Sequence, residues 1–338
     1  MKTISTSFLF FFSFLMLGQK NTTITNERFK KTVQMNKIII GIAFLFSVSI
    51  YGQISEKDST VQVVAYWSKL EKQSYNVSYE KLKIKNKDTI SKELMKYEID
   101  LKVIDSTKNS YTTEWFYKNF TIETDNELVK KLTSISNDIS VTIKTDEFGS
   151  FMEIMNWQEV RDYLTKVTIK LKEELKDIPN ATKIIDNVMA VYNSKESIEA
   201  NAIKDAIQFY SFHGVKYKLG EEISGELTVG NNFGGKPFET SVTLSLDEIN
   251  AADGNAVIRM KQTVNSEQLT NETYNHLKRI GTFGNNVPSR EDFPMFTNET
   301  YTASRIHAET GWIIYSIETK EIKAEKSTNI EERIIEIK

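Results

Sequence analysis

Tyr97-Glu98-Ile99-Asp100-Leu101-Lys102-Val103 alternates apolar and charged side chains without a break. A period of two is the signature of a strand with one face buried and the other in water. Lys108-Asn109-Ser110 is a turn signal, and Tyr111 to Phe120 returns as a second strand rich in aromatics (Trp115, Phe116, Tyr117). The whole stretch from about Ser74 to Asn119 reads as strands. A short helix is expected over Asn126 to Ser134, capped by Asp125. Ile139 to Lys144 and Ser150 to Met155 then form a hairpin around Asp146-Glu147-Phe148-Gly149.

The period changes next. Trp157, Val160, Leu164, Val167, Leu171 and Leu175 recur at spacings of three and four, the apolar face of one helix. Leu164 and Leu171 should both be buried, with Lys172 on the opposite face, and this helix should be the main packing element. Pro179-Asn180 breaks it, and Ile184, Ile185, Val188, Met189 and Tyr192 make a second helix. A third is expected from about Glu196 to His213, on Ile198, Ala202, Ala206, Phe209 and Tyr210, stopped by Gly214. This helical block spans residues 156–213.

Strands resume over Ile223 to Val229 and Phe238 to Leu246, where Val242, Leu244 and Leu246 alternate with polar neighbours. Ala251-Ala252-Asp253-Gly254-Asn255 turns the chain into Ala256 to Val264, and Ser266 to Ile280 reads as a helix. After a loop over Gly281 to Pro294, three last strands follow: Tyr301 to Ala308, Trp312 to Lys323 and Asn329 to Ile337. Thr310-Gly311 closes the first two as a tight hairpin. No βαβ rhythm appears. The order of strands, helical block, strands predicts an α+β protein: a broad, curved antiparallel sheet packed on an inserted block of three helices.

That layout resembles the envelope lipoprotein-carrier half-barrels. The resemblance implies a curved sheet that shields an apolar cleft behind helices, and a carrier role. This chain is longer than those carriers, and the inserted helical block departs from them.

The N-terminal region holds two leader-like segments. Met1-Lys2 precedes an apolar run from Phe8 to Leu17, and Met35-Asn36-Lys37 precedes another from Ile38 to Ile50. Each has the order of a secretory signal: a basic start, an apolar stretch, then small or polar residues. Both runs are shorter than the ~20 apolar residues a spanning helix needs, so no stable transmembrane anchor is expected. Residues 1–34 read as an upstream extension and 35–53 as the signal peptide, ending near Gly52-Gln53. Residues 54–338 read as one α+β domain. Heavy use of Lys, Asn and Ile resembles the style of exported proteins of AT-rich Gram-negative bacteria. The expected location is periplasmic or secreted.

The full chain has 43 basic and 46 acidic residues. Removing the six basic and one acidic residue of the first 53 leaves 37 against 45, a net charge of −8. That balance opposes nucleic-acid binding. With no cysteine, disulfides, thiolate metal sites and a Cys nucleophile are excluded.

Few motifs carry chemistry. Gly230-Asn231-Asn232-Phe233-Gly234-Gly235-Lys236 has phosphate-loop spacing. Pro237 stands where Ser or Thr must hold magnesium, and Phe238 begins a strand rather than a helix. The stretch therefore reads as a hairpin loop. His213, His276 and His307 lie in different elements without a partner at i+4, so no metal site is expected. No Gly-x-Ser-x-Gly elbow is present, and the acidic pairs Glu221-Glu222 and Asp146-Glu147 read as solvated turns. The tyrosines at 66, 75, 79, 97, 111, 117, 192, 210 and 217 fit a sheet core or an aromatic-lined concavity. No catalytic or ligand-binding residue and no cofactor is assigned. Three functions are expected in order: a binding or carrier protein for an apolar or amphipathic small molecule, a structural component with an envelope protein as partner, and a hydrolase.

Overall fold

The computed structural model describes residues 54–124, 130, 139–177, 182, 185–186, 189, 192, 194–201, 203–231, 233, 236–284 and 286–338. The two leader-like segments, most of the helix expected over 126–134 and much of that over 184–192 lie outside the described residues.

Eleven strands form one antiparallel sheet that does not close, a half-barrel-like architecture. Five of them run outward from the middle: β3 (Lys72–Lys85), β4 (Asp88–Thr107), β5 (Ser110–Glu123), β6 (Ile139–Asp146) and β7 (Phe151–Ile154). Six run back inward from the other edge: β9 (Glu222–Val229), β10 (Phe238–Asn250), β11 (Asn255–Val264), β12 (Phe296–His307), β13 (Ile313–Ala324) and β14 (Ser327–Ile337). The two meanders meet where β14 pairs with β3, from Tyr75 opposite Ile337 to Lys85 opposite Ser327. The chain thus enters and leaves the sheet at its centre. A small second sheet joins β1 (Ile54–Ser55), β2 (Thr60–Gln62) and β8 (Lys216–Lys218).

The helices between β7 and β8 connect one sheet edge to the other. Among the described residues they include α1 (Trp157–Glu174), α2 (Lys195–Asn201) and α3 (Lys204–Tyr210). A fourth, α4 (Ser266–Arg279), packs on β12 and β10. Asn265 caps α4, its side chain accepting from the Glu267 and Gln268 backbone amides.

Two helix expectations are corrected. The helix expected over 196–213 is two helices, broken at Ile203, whose φ of −126° and ψ of 41° are not helical. The break lets α3 turn its own face to the sheet. Ile203 itself is wholly buried, so core packing replaces the lost helical bonds. The second correction concerns the main packing element. Val160, Thr168, Leu171 and Leu175 of the 157–175 stretch are buried, but Leu164 is only half-buried. That helix packs against β6, near one sheet edge, and against α2. The sheet centre is covered instead by α3, seven residues long, which buries Asp205, Ala206, Gln208, Phe209 and Tyr210 against β13 and β14.

The core is aromatic. Trp115, Tyr75, Tyr217, Phe209 and Phe212 are its largest fully buried side chains. Phe209 meets Tyr75 and Trp115 edge-on, at centroid distances of 5.5 and 5.2 Å. Residues 63–67 thread between two hairpin turns: Ala65 N–H donates to Phe148 O at 2.9 Å and Tyr66 N–H to Thr310 O at 3.2 Å. Gly311 makes this passage possible. Its φ is +74°, and a Cβ there would stand 2.6 Å from Val64 O.

Candidate functional site

The register places residues of neighbouring strands side by side in rows across the helix-covered, inner face. At one end the row Tyr97–Val77–Ile335–Ser316–Ser304–Ile258–Leu246 is mostly apolar. Here α3 lies on the sheet. Gln208 Nε2 donates to Ser316 Oγ at 2.8 Å, and Ser304 Oγ bonds Ser316 Oγ at 2.8 Å. Asp205 is 3% exposed. Its carboxylate accepts from Tyr97 OH and Tyr117 OH, both at 3.0 Å, and from the Ala206 amide at 2.9 Å. Burial raises the Asp205 pKa, against the pull of Arg333 and these donors.

Two residues further along every strand, the inner face changes character. The next row reads Met95–Tyr79–Arg333–Glu318–Thr302–Met260–Leu244. Arg333 Nη1 bonds Glu318 Oε1 at 3.1 Å, and its guanidinium lies over the Tyr79 ring, 5.1 Å from the centroid. The row beyond is Glu93–Lys81–Glu331–Lys320–Thr300–Gln262–Val242. Glu331 stands between two lysines on adjacent strands, and Lys204, at the start of α3, interacts with it from above the sheet.

This polar belt is not a solvated face. Lys320, Glu331 and Arg333 are 8%, 6% and 6% exposed, and Thr300 and Thr302 are buried beside them. Burial pushes the Lys204 pKa down to about 8, with Glu331 opposing and Lys320, Arg333 and Lys81 assisting. Burial also lowers Lys81. For Glu331, burial would raise the carboxyl, but Lys204, Lys320 and Lys81 outweigh it and hold it below the usual range. The belt therefore holds four cations, with Glu318 paired to Arg333, Glu93 opposite Lys81, and Glu331 central among the lysines, in an environment where charge is costly.

The belt lies between two covers. On one side α3 packs on β13 and β14, and on the other α4 packs on β12 and β10. Beyond the belt, Leu269 of α4 joins Val229, Phe238 and Val264 in a second apolar cluster, with Phe296 against it. A polar band thus runs across the inner face with apolar packing on both sides.

Of the residues singled out from the sequence, Tyr79 lines the belt and Tyr97 the row beside it, while the histidines and Lys236 lie elsewhere. Nε2 of His213 bonds Gly311 O at 2.9 Å, and burial pushes the pKa of its ring down to about 4. His276 Nδ1 bonds Arg279, and His307 Nδ1 bonds Thr310 Oγ1 at 2.9 Å. The described structure brings neither His276 nor His307 to a carboxylate. Among the described residues, no group of His, Asp and Glu is arranged to hold a metal ion. Lys236 is exposed, in the loop between β9 and β10. A shallow hollow of about 460 Å³ on the outer face is lined by Arg259, Lys261, Tyr301 and Thr319 among others. Arg259 there pairs with Asp247, and Lys261 pairs with Glu299 at 2.8 Å. Among the described residues, no helix is long and apolar enough to cross a membrane.

No protein-family model matches the chain, and no curated protein matches it. Among solved structures, one described as showing lipid–protein interactions in lipovitellin is similar over 80% of this chain, with 8% identity and a TM-score of 0.38. This chain spans 25% of that protein's length. An outer membrane channel from Pseudomonas putida F1 is similar over 84% of this chain and 100% of its own, with 8% identity and a TM-score of 0.16. Likeness this loose carries no argument about ligand or mechanism.

Proposed function

We propose that this is an exported binding or carrier protein for an amphipathic small molecule, working in the periplasm or outside the cell. The leader-like segment at 35–53 motivates the location. The ligand reading rests on one observation: the inner face carries a buried band of charge between two apolar regions. A folded chain that needed only stability would fill such a band with apolar side chains, because buried ion pairs rarely repay their desolvation. A ligand with a polar group and an apolar part matches both surfaces at once. Purification from an exporting host, followed by denaturation and mass spectrometry of the released small molecules, tests this. A co-purifying amphiphile in stoichiometric amount supports it. A ligand-free protein that also fails to bind a fluorescent fatty acid contradicts it.

A second reading has its own observation. Tyr66 and Phe148, beside the bond from Ala65 N–H to Phe148 O, are 62% and 40% exposed, and Leu70 further along the same segment is 63% exposed. Beside a filled aromatic core, these exposed apolar side chains fit a structural component that docks an envelope protein. Substituting Tyr66 and Leu70 by Ser should abolish co-purification of a partner under that reading and leave ligand binding untouched.

A further inference from the structure

We infer that the belt on β3, β14 and β13 binds the anionic group of the ligand, a carboxylate or a phosphate, and that Glu331 occupies that anion's place in the free protein. The inference rests on the carrier reading and names the chemistry of its polar end. The register carries the argument. Lys81 and Lys320 stand directly opposite Glu331 on either side, and Lys204 interacts with it from α3. Arg333, one inner-face position along β14, completes the basic group and pairs with Glu318. Glu331 is thus an acidic side chain set among cations from three separate elements. That is the recognition geometry of an anion site, in which the protein's own carboxylate balances the charge while no ligand is bound. Thr300, buried next to Lys320 in the same row, adds a hydroxyl donor that a phosphate or carboxylate accepts from, while the Thr302 hydroxyl donates to Glu318 at 3.5 Å.

Burial, helped by the neighbouring cations, lowers the pKa of Lys204, so added negative charge beside it is favoured. An incoming anion would take up the role of Glu331 among these cations. Removing the internal carboxylate should then help the ligand, whereas removing the lysines should hurt it. A purely structural ion cluster offers no reason for those opposite signs.

The test compares cis-parinaric acid with its methyl ester, which has the same chain without the charge, and adds inorganic phosphate as a soluble anion. Binding is followed by parinarate fluorescence, and thermal melts of each variant report folding. The wild type should bind the acid roughly tenfold more tightly than the ester. Lys204→Met and Lys320→Met should bring the acid down to the ester's affinity, and Glu331→Gln should tighten the acid alone. Equal binding of acid and ester in the wild type overturns the inference and leaves the carrier reading standing. Stabilisation by phosphate, with no binding of acid or ester, keeps the anion site and overturns the carrier reading. No response to any of the three overturns both. Should the lysine variants fail to fold, Glu331→Gln decides the matter: unchanged or weaker acid binding contradicts the inference.

Discussion

The inner face of this sheet has two ends built on opposite principles. At the α3 end, Phe209, Trp115 and Tyr75 are wholly buried and meet edge to face, beside wholly buried Ile99. In the belt, Lys81, Glu331, Lys320 and Arg333 occupy the same inward positions of the same strands. The backbone pairing is continuous through both. Stability therefore resides mainly where apolar area is removed from water, while the belt carries a desolvation cost that packing elsewhere offsets.

The largest effect should come from the apolar end. Phe209→Ala should cost about 3–5 kcal/mol in urea melts, as large-to-small changes in packed cores do. A cost under about 1 kcal/mol would mean that this end is not the stabilising one.

The next test uses pH at that same end. His213 is 4% exposed and faces Trp67, Phe209 and Tyr210, of which only Tyr210 titrates, far above this range. Its folded pKa of about 4 lies below the unfolded value of about 6.5. Between those values the unfolded chain binds more protons, so stability is full above pH 6.5 and falls as pH drops toward 4. The loss attributable to this ring should be on the order of 3 kcal/mol. The difference between wild type and His213→Gln measured across that window isolates it, and a flat difference would remove the histidine from the account.

Within α1 the contrast is smaller. Leu171, 2% exposed, should cost about 2–3 kcal/mol when cut to Ala, and half-buried Leu164 about 1 kcal/mol. Equal costs would restore that helix as a main packing element. The smallest effect is expected far from both ends, in the loop before β10. Lys236→Ala should change stability by under about 0.5 kcal/mol. A thermal shift with ATP and magnesium that this substitution abolishes would overturn the hairpin-loop reading.

Much of the fold was legible because alternation and helical spacing are local. Tyr97 to Val103 on β4 and Val242 to Leu246 on β10 both lie inside strands where the sequence puts them. Phe238 opens a strand, which removed the phosphate-loop reading without a structure. The break at Ile203 was not legible, because neither Gly nor Pro marks it. The weight of α3 was hidden for a related reason: seven residues give too short a period to rank against the longer α1. The belt was missed because Lys81, Glu331 and Lys320 look like solvated charges. A signal did exist. The inward phase set by Ile337 and Ile335 on β14, carried back two residues at a time, lands on Arg333 and Glu331. On β3 the phase of Tyr75 and Val77 lands on Tyr79 and Lys81. Keeping phase through a polar stretch, rather than ending the strand's buried face there, finds the site.

The central claim is that the belt serves a ligand rather than the fold. Replacing its central row in one variant, Lys81→Met with Glu331→Leu and Lys320→Met, tests this most directly. The measurement is cis-parinaric acid binding to that variant, with a urea melt of the same sample. The account predicts an unchanged or higher urea midpoint together with at least a roughly tenfold loss of affinity. A lower midpoint with affinity intact would contradict it and make the belt part of the scaffold.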